Sequence, residues 1–154
     1  QSFDRFLSSA NTESARRFLI CLREPAPRRG VAAPDPSDAA SSDPVAAPVS
    51  SPVPGPIIGV VSLGAIARGA FLSCFLGYWI AREHAGRGLM REAIALVLDH
   101  AFGPMRLHRV EANIIPRNAP SRRLVRALGF RHEGTARRYL RIAGVWEDHQ
   151  HWVM

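Results

Sequence analysis

The chain has 154 residues, of which 47% are hydrophobic, and a formal net charge of +7 at pH 7. This length fits one domain with a buried core, and no apolar run reaches the roughly 18 residues that a membrane-spanning helix needs. We therefore expect a single domain over 1–154, in the cytoplasm and without a membrane partner. The sequence starts at Gln1 with neither an initiator methionine nor a signal-peptide pattern, which leaves a truncated or processed N-terminus open.

Cysteine usage and charge narrow the environment and the partners. Cys21 and Cys74 lie far apart without Cys-x-x-Cys spacing, so we expect packed free thiols in a reducing compartment rather than a disulfide. The positive charge favours phosphate-rich partners, namely nucleic acid, a ribosome or a polyphosphorylated cofactor. A basic surface that is merely solvated is the alternative.

The N-terminal third combines a helical pattern with a low-complexity segment. Apolar residues within Phe3–Leu22 fall close to helical spacing, which predicts a helix. From Pro25 to Pro56 the chain holds nine of its 12 prolines, mixed with Ala, Ser, Asp and Val. Such a stretch has few large apolar groups to bury, so 25–56 is predicted to be a flexible insertion.

A hairpin, a glycine turn and a helix follow in the sequence. Two runs suited to strands, Ile57–Leu63 and Phe71–Ala81, flank a turn at Gly69, which predicts an antiparallel hairpin. After the hairpin, Gly86-Arg87-Gly88 leads directly into Leu89–Leu98, a run with high helix propensity.

The C-terminal part predicts one more strand and helix, and then further strands. Arg109–Ile115 alternates apolar and polar residues, and Asn118 can cap a helix that ends at Gly129. The remaining residues predict three extended pieces, Phe130–Thr135, Arg138–Ile142 and Val145–Val153. The order of these elements predicts an α/β fold with a mixed sheet.

The turn at Gly86-Arg87-Gly88 is the segment that carries chemistry. A helix start exposes backbone N–H groups and the positive end of the helix dipole, and glycines let the backbone approach an anion closely. The turn therefore suits a pyrophosphate, with Arg82 and Arg87 as nearby cations. It lacks the Gly-Lys-[Ser/Thr] of a P-loop and the third glycine of a dinucleotide site. A tight turn that binds nothing is the alternative.

Several motifs occur together in a fixed order over Ile57–Met154. They are Ile58-Gly59-Val60-Val61, Leu76-Gly77-Tyr78-Trp79-Ile80, Gly86-Arg87-Gly88-Leu89-Met90, His108-Arg109-Val110, Ala112-Asn113, Asn118-x-x-Ser121, Leu128-Gly129-Phe130 and Gly144-x-Trp146-x-Asp148-His149. In this combination the chain resembles the GNAT superfamily of N-acetyltransferases. In detail it is similar to the RimJ/RimL-like branch, the ribosomal-protein N-terminal acetyltransferases.

The resemblance implies a GNAT-like fold, with a mixed, mostly antiparallel central sheet flanked by helices and splayed at an acetyl-CoA site. It implies that the pantetheine arm of acetyl-CoA lies beside Leu76–Ala81 and that the pyrophosphate lies on the amides of 85–90. The cofactor-binding residues implied in this way are Tyr78, Trp79, Ile80, Ala81, Arg82, Ala85, Gly86, Arg87, Gly88, Leu89, Met90, Asn113, Asn118 and Ser121. Where the family usually has Gln or Arg three residues before the first glycine, this chain has Glu83.

Acetylation of an amine needs a neutral nitrogen, a donor for the oxyanion and a proton for the departing thiolate. Glu111, on the polar face of its strand, is our candidate for the base. Ser121, at the serine position of the family's Asn-x-x-Ser motif, is the candidate proton donor, and Tyr139 is the second. The alternative carboxylates near the C-terminus are Glu133, Glu147 and Asp148. Each of these side chains also has a plain structural interpretation, as a surface carboxylate, a helix cap or a packed ring.

Two other clusters are considered for metal and phosphate binding. His149 and His151 share a strand face, but no third ligand stands at a suitable spacing and the resembled family uses no metal, so we expect none. Arginines are densest near the C-terminus, where they can bind the 3′-phosphate of CoA, contact a ribosome or simply face solvent. They are Arg117, Arg122, Arg123, Arg126, Arg131, Arg137, Arg138 and Arg141.

The sequence therefore predicts an acetyl-CoA-dependent N-acetyltransferase that acts on a primary amine, foremost the N-terminal α-amine of a ribosomal protein. A small-molecule amine is the alternative acceptor, because nothing in the sequence excludes it. A protein of another class also fits: a basic, non-catalytic RNA- or ribosome-binding protein with the same fold. Both a monomer and a homodimer are compatible with the sequence.

Overall fold

The computed structural model describes residues 13–23 and 54–154. The elements in chain order are β1 (Arg16–Arg23), β2 (Pro54–Ala67), β3 (Ser73–Ile80), a 3₁₀ turn (Arg82–His84), α1 (Leu89–Phe102), β4 (Arg109–Ile114), α2 (Ala119–Ala127), β5 (Arg131–Ile142) and β6 (Val145–Val153). The strands form one sheet in the order β1-β2-β3-β4-β6-β5, in which all pairs but β3–β4 are antiparallel. The predicted α/β class is confirmed.

The segment Arg16–Arg23 is a strand, so the helix predicted over this part of the chain is wrong. β1 pairs antiparallel with β2 along its length. Phe18 and Ile20 are buried while Arg17 is exposed, which is the period of two that a strand imposes. A short apolar run is compatible with both the helical period and the strand period, and here the pairing with β2 selects the strand. The rest of the predicted helix, 3–12, lies outside the described residues.

The predicted hairpin is confirmed, with a longer first strand. β2 and β3 pair antiparallel, and β2 begins at Pro54, so the last residues assigned to the insertion belong to the sheet. The remainder of that segment, 25–53, lies outside the described residues. Gly59 permits the close approach of the two strands, because a Cβ there would lie 2.7 Å from the carbonyl oxygen of Trp79.

Both helices cover the same face of the sheet and share one hydrophobic core. The fully buried side chains of this core are Val61, Leu63, Cys74, Ile94, Val110 and Val125. Arg91 Nη2 donates a hydrogen bond to the Ala127 carbonyl oxygen at 3.3 Å, which places α1 beside α2. Cys21 and Cys74 are buried free thiols, as expected. Within the described ranges, neither helix has the length and hydropathy of a membrane span.

β3 and β4 are the parallel pair, and they are paired over a short length. Their register runs from Ser73 opposite Arg109 to Phe75 opposite Glu111. Beyond that point β3 continues to Ile80 without β4 as its partner. The sheet is therefore splayed at the carboxyl ends of two adjacent strands, which is where open α/β sheets place ligand crevices.

Residues Arg131–Ile142 form one strand where the sequence predicted two pieces. The register with β6 shifts between Ala136 and Leu140, and Arg138 has a φ of +48°. The Arg138 N–H donates to Asp148 Oδ1 at 2.8 Å, so a side chain supplies the partner that the strand ladder lacks at this bulge. The predicted gap is thus a bulge within a continuous strand.

Candidate functional site

A cavity of about 570 Å³ lies between the free end of β3, the start of α1 and the first turns of α2. Its lining residues are Tyr78, Trp79, Ile80, His84, Ala85, Gly86, Gly88, Leu89, Met90, Arg91, Pro120, Ser121, Arg123 and Leu124. The volume falls within the roughly 300–1,000 Å³ that is usual for small-molecule sites. The cavity adjoins the splay of the sheet, where the edge of β3 beyond Phe75 pairs with no strand within residues 13–23 and 54–154.

The turn before α1 presents backbone N–H groups to this cavity. Gly86 and Gly88 have φ values of +76° and +79°, a conformation that favours glycine. The Glu92 N–H bonds the Gly88 carbonyl oxygen at 3.1 Å, so the earlier N–H groups of the helix have no intrahelical acceptor. A Cβ built on Gly86 would meet no atom within 4 Å. The space above the turn is therefore open, and the helix dipole makes it suitable for an anion.

Positive charge reaches the cavity from both helices. Arg91 on α1 and Arg123 on α2 line it, whereas Arg82 and Arg87, the cations that the sequence assigned to the turn, are exposed outside the lining. Glu83 is exposed as well. The cavity-lining cations thus come from the helices, and Arg123 depends on how α2 packs beside α1, which the local sequence does not show.

Two polar side chains on the cavity wall lack a full partner. The Tyr78 phenol oxygen and His84 Nδ1 are buried without a hydrogen bond among the described residues. Burial raises the pKa of Tyr78, and an interaction with the Ser121 hydroxyl opposes that rise. The Tyr78 Oη makes no hydrogen bond within the described residues, so the two hydroxyl groups are neighbours that are not bonded to each other.

Asn118 is the N-cap of α2, as predicted. Its Oδ1 accepts a hydrogen bond from the Ser121 N–H at 3.2 Å, and Pro120 occupies the first turn, where its missing N–H costs nothing. Because Asn118 performs the capping, the Ser121 side chain is available to the cavity that it lines. The capping role that was the alternative interpretation of Ser121 is therefore performed by Asn118.

Glu111 and Asn113 lie beside the splay, on the face of β4 opposite its buried residues. Glu111 Oε1 accepts a hydrogen bond from Arg109 Nε at 2.8 Å, and Oε2 lies 3.9 Å from His151 Nδ1. Asn113 Oδ1 is buried without a partner in the described part of the chain. Neither residue lines the cavity, so they flank the opposite side of the splay.

Of the other carboxylates considered as bases, Glu133 and Glu147 are ion-paired, and Asp148 accepts a hydrogen bond from the Arg138 N–H. Arg109 donates to both oxygens of Glu133 at 3.2 and 2.6 Å, and Arg117 donates to both oxygens of Glu147 at 2.7 and 2.8 Å. Hydrogen bonding to these guanidinium groups holds the pKa values of both glutamates below their usual range. These side chains have the structural role that was the plain interpretation of the sequence.

Tyr139, the second proton-donor candidate, lies apart from Ser121. Its ring packs edge-on against His149 and His151, with centroid distances of 5.9 and 4.9 Å, and it does not line the cavity. His149 Nδ1 is 3.0 Å from the Glu147 carbonyl oxygen. Residues 13–23 and 54–154 hold no cluster of three or more side chains suited to a metal ion.

The structure brings most of the residues assigned to cofactor binding to one cavity. Those outside its lining are Ala81, Arg82, Arg87, Asn113 and Asn118. The lining residues that the sequence did not assign are His84, Arg91, Pro120 and Leu124, whereas Arg123 stood among the arginines considered for the 3′-phosphate of CoA. Of these, Pro120 stands inside the recognised Asn-x-x-Ser motif and His84 just before the glycine turn, so both had a usable signal.

Comparison with known proteins shows the family to which the chain belongs. Residues 2–131 match the family model described as acetyltransferase (GNAT) domain, so the chain belongs to the GNAT acetyltransferase family, and the family inferred from the motifs is confirmed. Probable N-acetyltransferase YjcK of Bacillus subtilis is 50% identical over 94 residues, which are 61% of this chain and 52% of that protein. The ribosomal protein uS5-alanine N-acetyltransferase of Escherichia coli is 42% identical over 93 residues, 60% of this chain and 48% of that protein. The chain thus spans about half the length of these curated relatives.

Solved structures agree with this class. Ribosomal-protein-S5-alanine acetyltransferase from Vibrio fischeri aligns with a TM-score of 0.62 and 43% identity, over 64% of this chain and 54% of that one. Mycobacterium smegmatis RimJ in complex with CoA-disulfide aligns with a TM-score of 0.63 and 40% identity, over 65% of this chain and 48% of that one. Spermidine N-acetyltransferase SpeG from Vibrio cholerae, at 22% identity and a TM-score of 0.65 over 92% of this chain and 64% of that one, is similar in fold.

Proposed function

We propose that this protein is an acetyl-CoA-dependent N-acetyltransferase. The observation that carries the proposal is the splay between β3 and β4, next to the N-terminus of α1. The unpaired edge of β3 suits an extended pantetheine arm, and the N–H groups of the glycine turn suit its pyrophosphate. The open space above Gly86 and the cations Arg91 and Arg123 on the cavity wall fit a bound anionic ligand. When bound, acetyl-CoA supplies an activated acetyl group.

We propose the N-terminal α-amine of a ribosomal protein as the acceptor. Relatives at 42% and 43% identity are named for alanine acetylation on ribosomal protein uS5 or S5. Charge also supports a singly charged acceptor over a polyamine, which needs several unpaired carboxylates. Near the splay, Glu111 and Glu133 are already bonded to Arg109, and Glu147 is bonded to Arg117.

An N-terminal α-amine needs little help from a base. At pH 7.5 roughly a quarter of an α-amine with a pKa near 8 is neutral, against about a thousandth of a lysine side chain. We assign Glu111 to receive the proton of the attacking nitrogen through water, since its Oε2 faces His151 rather than an arginine. Ser121, on the cavity wall, is assigned to the departing sulfur.

A ribosomal acceptor also fits the basic surface of the protein. Arg123 and Arg126 on α2 are exposed, and so are Arg131, Arg137 and Arg138 on β5. Exposed arginines attract phosphate backbones and speed encounter with them. We propose that these side chains associate with ribosomal RNA.

A defined acceptor panel tests this function. The purified protein is incubated with acetyl-CoA and one of three acceptors: an alanine-starting peptide from the N-terminus of uS5, the same peptide with a blocked α-amine and an internal lysine, or spermidine. Acetylation of the first peptide at its α-amine, located by mass spectrometry, is the expected result. Transfer to spermidine alone would make a small amine the acceptor. Salt-sensitive RNA binding without consumption of acetyl-CoA would make the protein a non-catalytic binder.

A further inference from the structure

The hairpin of β5 and β6 projects beyond the rest of the sheet. The pairing of β4 with β6 ends at Ile114 opposite Gln150, so within the described part of the chain residues 145–149 of β6 pair with β5 alone. The projection starts where β4 ends, at the carboxyl end of that strand. The hairpin tip, which we define as residues 140–146, therefore lies at the same end of the sheet as the splay.

The hairpin tip carries large apolar side chains that face solvent. Val145 and Trp146 are 59% and 53% exposed, and Leu140 and Ile142 are 40% exposed each. Single exposed apolar residues are common on protein surfaces, but a contiguous group of them marks an interaction site. These four residues lie on either side of one turn, so the tip is a surface suited to a partner.

A cation lies directly across the hairpin from the exposed indole. Arg141 is the register partner of Trp146, and opposite residues of antiparallel strands share a face of the sheet. Arg141 Nε donates a hydrogen bond to the Gly144 carbonyl oxygen at 3.1 Å. This bond uses one of the five N–H groups of the guanidinium, so the others can bind a partner. The tip thus presents an aromatic face and a cation side by side.

The charge beside the hairpin tip is positive. Arg137 and Arg138 are exposed on β5, and their side chains form no ion pair with residues 13–23 and 54–154. The nearby carboxylates already have partners, since Glu147 is bonded to Arg117 and Asp148 accepts from the Arg138 N–H. The charge therefore favours a partner rich in anions.

We propose that the hairpin tip binds unpaired nucleotides of RNA, with a base stacked on Trp146 and the adjoining phosphates on Arg141 and Arg137. Single-stranded RNA offers both groups that this surface matches, because its bases are free to stack on aromatic rings and its phosphates attract arginine. This inference rests on the proposed association with ribosomal RNA and assigns the site and the kind of RNA. RNA held at the tip lies next to the splay, where the acceptor must enter.

Charge argues against a second copy of the chain as the occupant. In a two-fold contact the same patch meets itself, so the tip arginines of one copy would face those of the other. Like charges placed directly opposite each other are destabilising. An RNA strand brings the opposite charge together with the aromatic faces.

A series at one position, with a matched control, tests the stacking. Trp146→Ala removes the ring, whereas Trp146→Phe keeps an aromatic face. Phe71→Ala is the control, because Phe71 is 72% exposed in the turn between β2 and β3, at the opposite end of the sheet. Each protein is titrated, with fluorescence anisotropy as the readout, into a labelled unstructured RNA of about 12 nucleotides and into the same RNA annealed to its complement.

The expected losses are specific to the single strand. Trp146→Ala should bind it about 10-fold more weakly, Trp146→Phe should stay within about threefold of wild type, and Phe71→Ala should match wild type. Binding of the duplex should be the same in all four proteins, because its bases are not free to stack. Wild-type affinity of Trp146→Ala for the single strand, or an equal loss on both RNAs, would overturn the assignment.

Salt dependence separates the cation from the ring. Arg141→Gln should lower the slope of log binding constant against log salt concentration by about 0.7, the value for one phosphate contact on a single strand. Trp146→Ala should leave this slope unchanged. An unchanged slope in Arg141→Gln would remove the phosphate contact, and a wild-type dimer that dissociates in Trp146→Ala during sedimentation would make the tip an interface between copies.

Acetylation of the free uS5 peptide by the same proteins distinguishes this proposal from the proposed function. Trp146→Ala should acetylate the peptide at the wild-type rate, and an equal loss of peptide turnover and RNA binding would assign Trp146 to the acceptor site instead. If wild type acetylates no amine while the RNA losses appear as expected, the tip proposal stands and the proposed acceptor is wrong. If wild type acetylates the peptide but binds no RNA, the function stands and the tip proposal is wrong.

Discussion

The two ends of the β3–β4 pair satisfy their polar groups in different ways. At the paired end, the strands share a ladder, and the Arg109 guanidinium bonds both Glu111 and Glu133. At the splayed end, Tyr78 Oη and Asn113 Oδ1 are buried without partners among the described residues. Buried polar groups are nearly always hydrogen-bonded, so the two ends differ in how far the described residues satisfy them.

This difference separates the residues that hold the fold from those that serve the site. Side chains of the core, such as Leu63 and Val61, should affect stability without a specific effect on binding. Cavity-lining residues of the glycine turn and of α2 should affect binding or turnover at nearly unchanged stability.

The largest effect is expected at the glycine turn. Gly86→Glu places a carboxylate where the pyrophosphate should lie and imposes a side chain on a φ of +76°. Loss of two hydrogen bonds to a charged group predicts an acetyl-CoA affinity at least about 1,000-fold weaker by calorimetry. Gly69→Glu is the control, because Gly69 also has a positive φ of +67° and open space around it but lies outside the cavity. Equal loss in both variants would show strain rather than a ligand site.

In the core, Leu63→Ala should cost stability instead. The side chain is fully buried between β2 and the helices, and Leu→Ala changes at such positions cost about 3 kcal/mol. Urea unfolding should show this loss, while the folded variant keeps its acetyl-CoA affinity within a few-fold. An affinity loss as large as that of Gly86→Glu would erase the distinction between core and site.

The start of α2 offers a paired test within one motif. Ser121→Ala keeps the backbone N–H that donates a hydrogen bond to Asn118 and removes the hydroxyl from the cavity. Turnover should therefore fall about 10-fold, while acetyl-CoA affinity and stability change little. Asn118→Ala removes the cap and should lower the free energy of unfolding by about 1 kcal/mol, with a smaller effect on turnover. A Ser121→Ala variant with wild-type turnover would remove this residue from the mechanism.

The smallest effect concerns acid stability at the paired end. Arg109 lowers the pKa of Glu133 in the folded state, so the pair stabilises the fold above the unfolded pKa of about 4.3 and loses this contribution as pH falls through the lower folded pKa. The urea midpoints of wild type and Glu133→Gln should therefore converge between pH 7 and pH 3. A difference that stays constant or grows in acid would contradict the ion pair.

Local signals in the sequence were sufficient for much of the fold and for the glycine turn. The hairpin, both helices and the Asn118 cap follow from periodicity, turn residues and capping chemistry, all of which act over a few residues. The strand at Arg16–Arg23 does not, because its pairing with β2 joins residues about 40 positions apart. The bulge at Arg138 depends in the same way on a side chain from the neighbouring strand, Asp148.

The site shows the same division between local and distant contacts. Gly86 and Gly88 were readable because a strand, a glycine turn and a helix are adjacent in sequence. Arg123 could be named only as one of several candidate arginines, since its place on the cavity wall depends on the packing of α2. The ion pair of Arg109 with Glu133, which joins residues from different strands, was likewise invisible, and the four carboxylates looked equivalent until their partners were known.

The most direct test of the central claim is an amide NMR titration of the isotope-labelled protein with acetyl-CoA. If the splayed end of the β3–β4 pair is the acetyl-CoA site, the largest shifts will fall on the amides of 76–80, 85–91 and 121–124, and those of β1 will stay in place. Shifts confined to other elements, or none in a well-folded sample, would contradict the account.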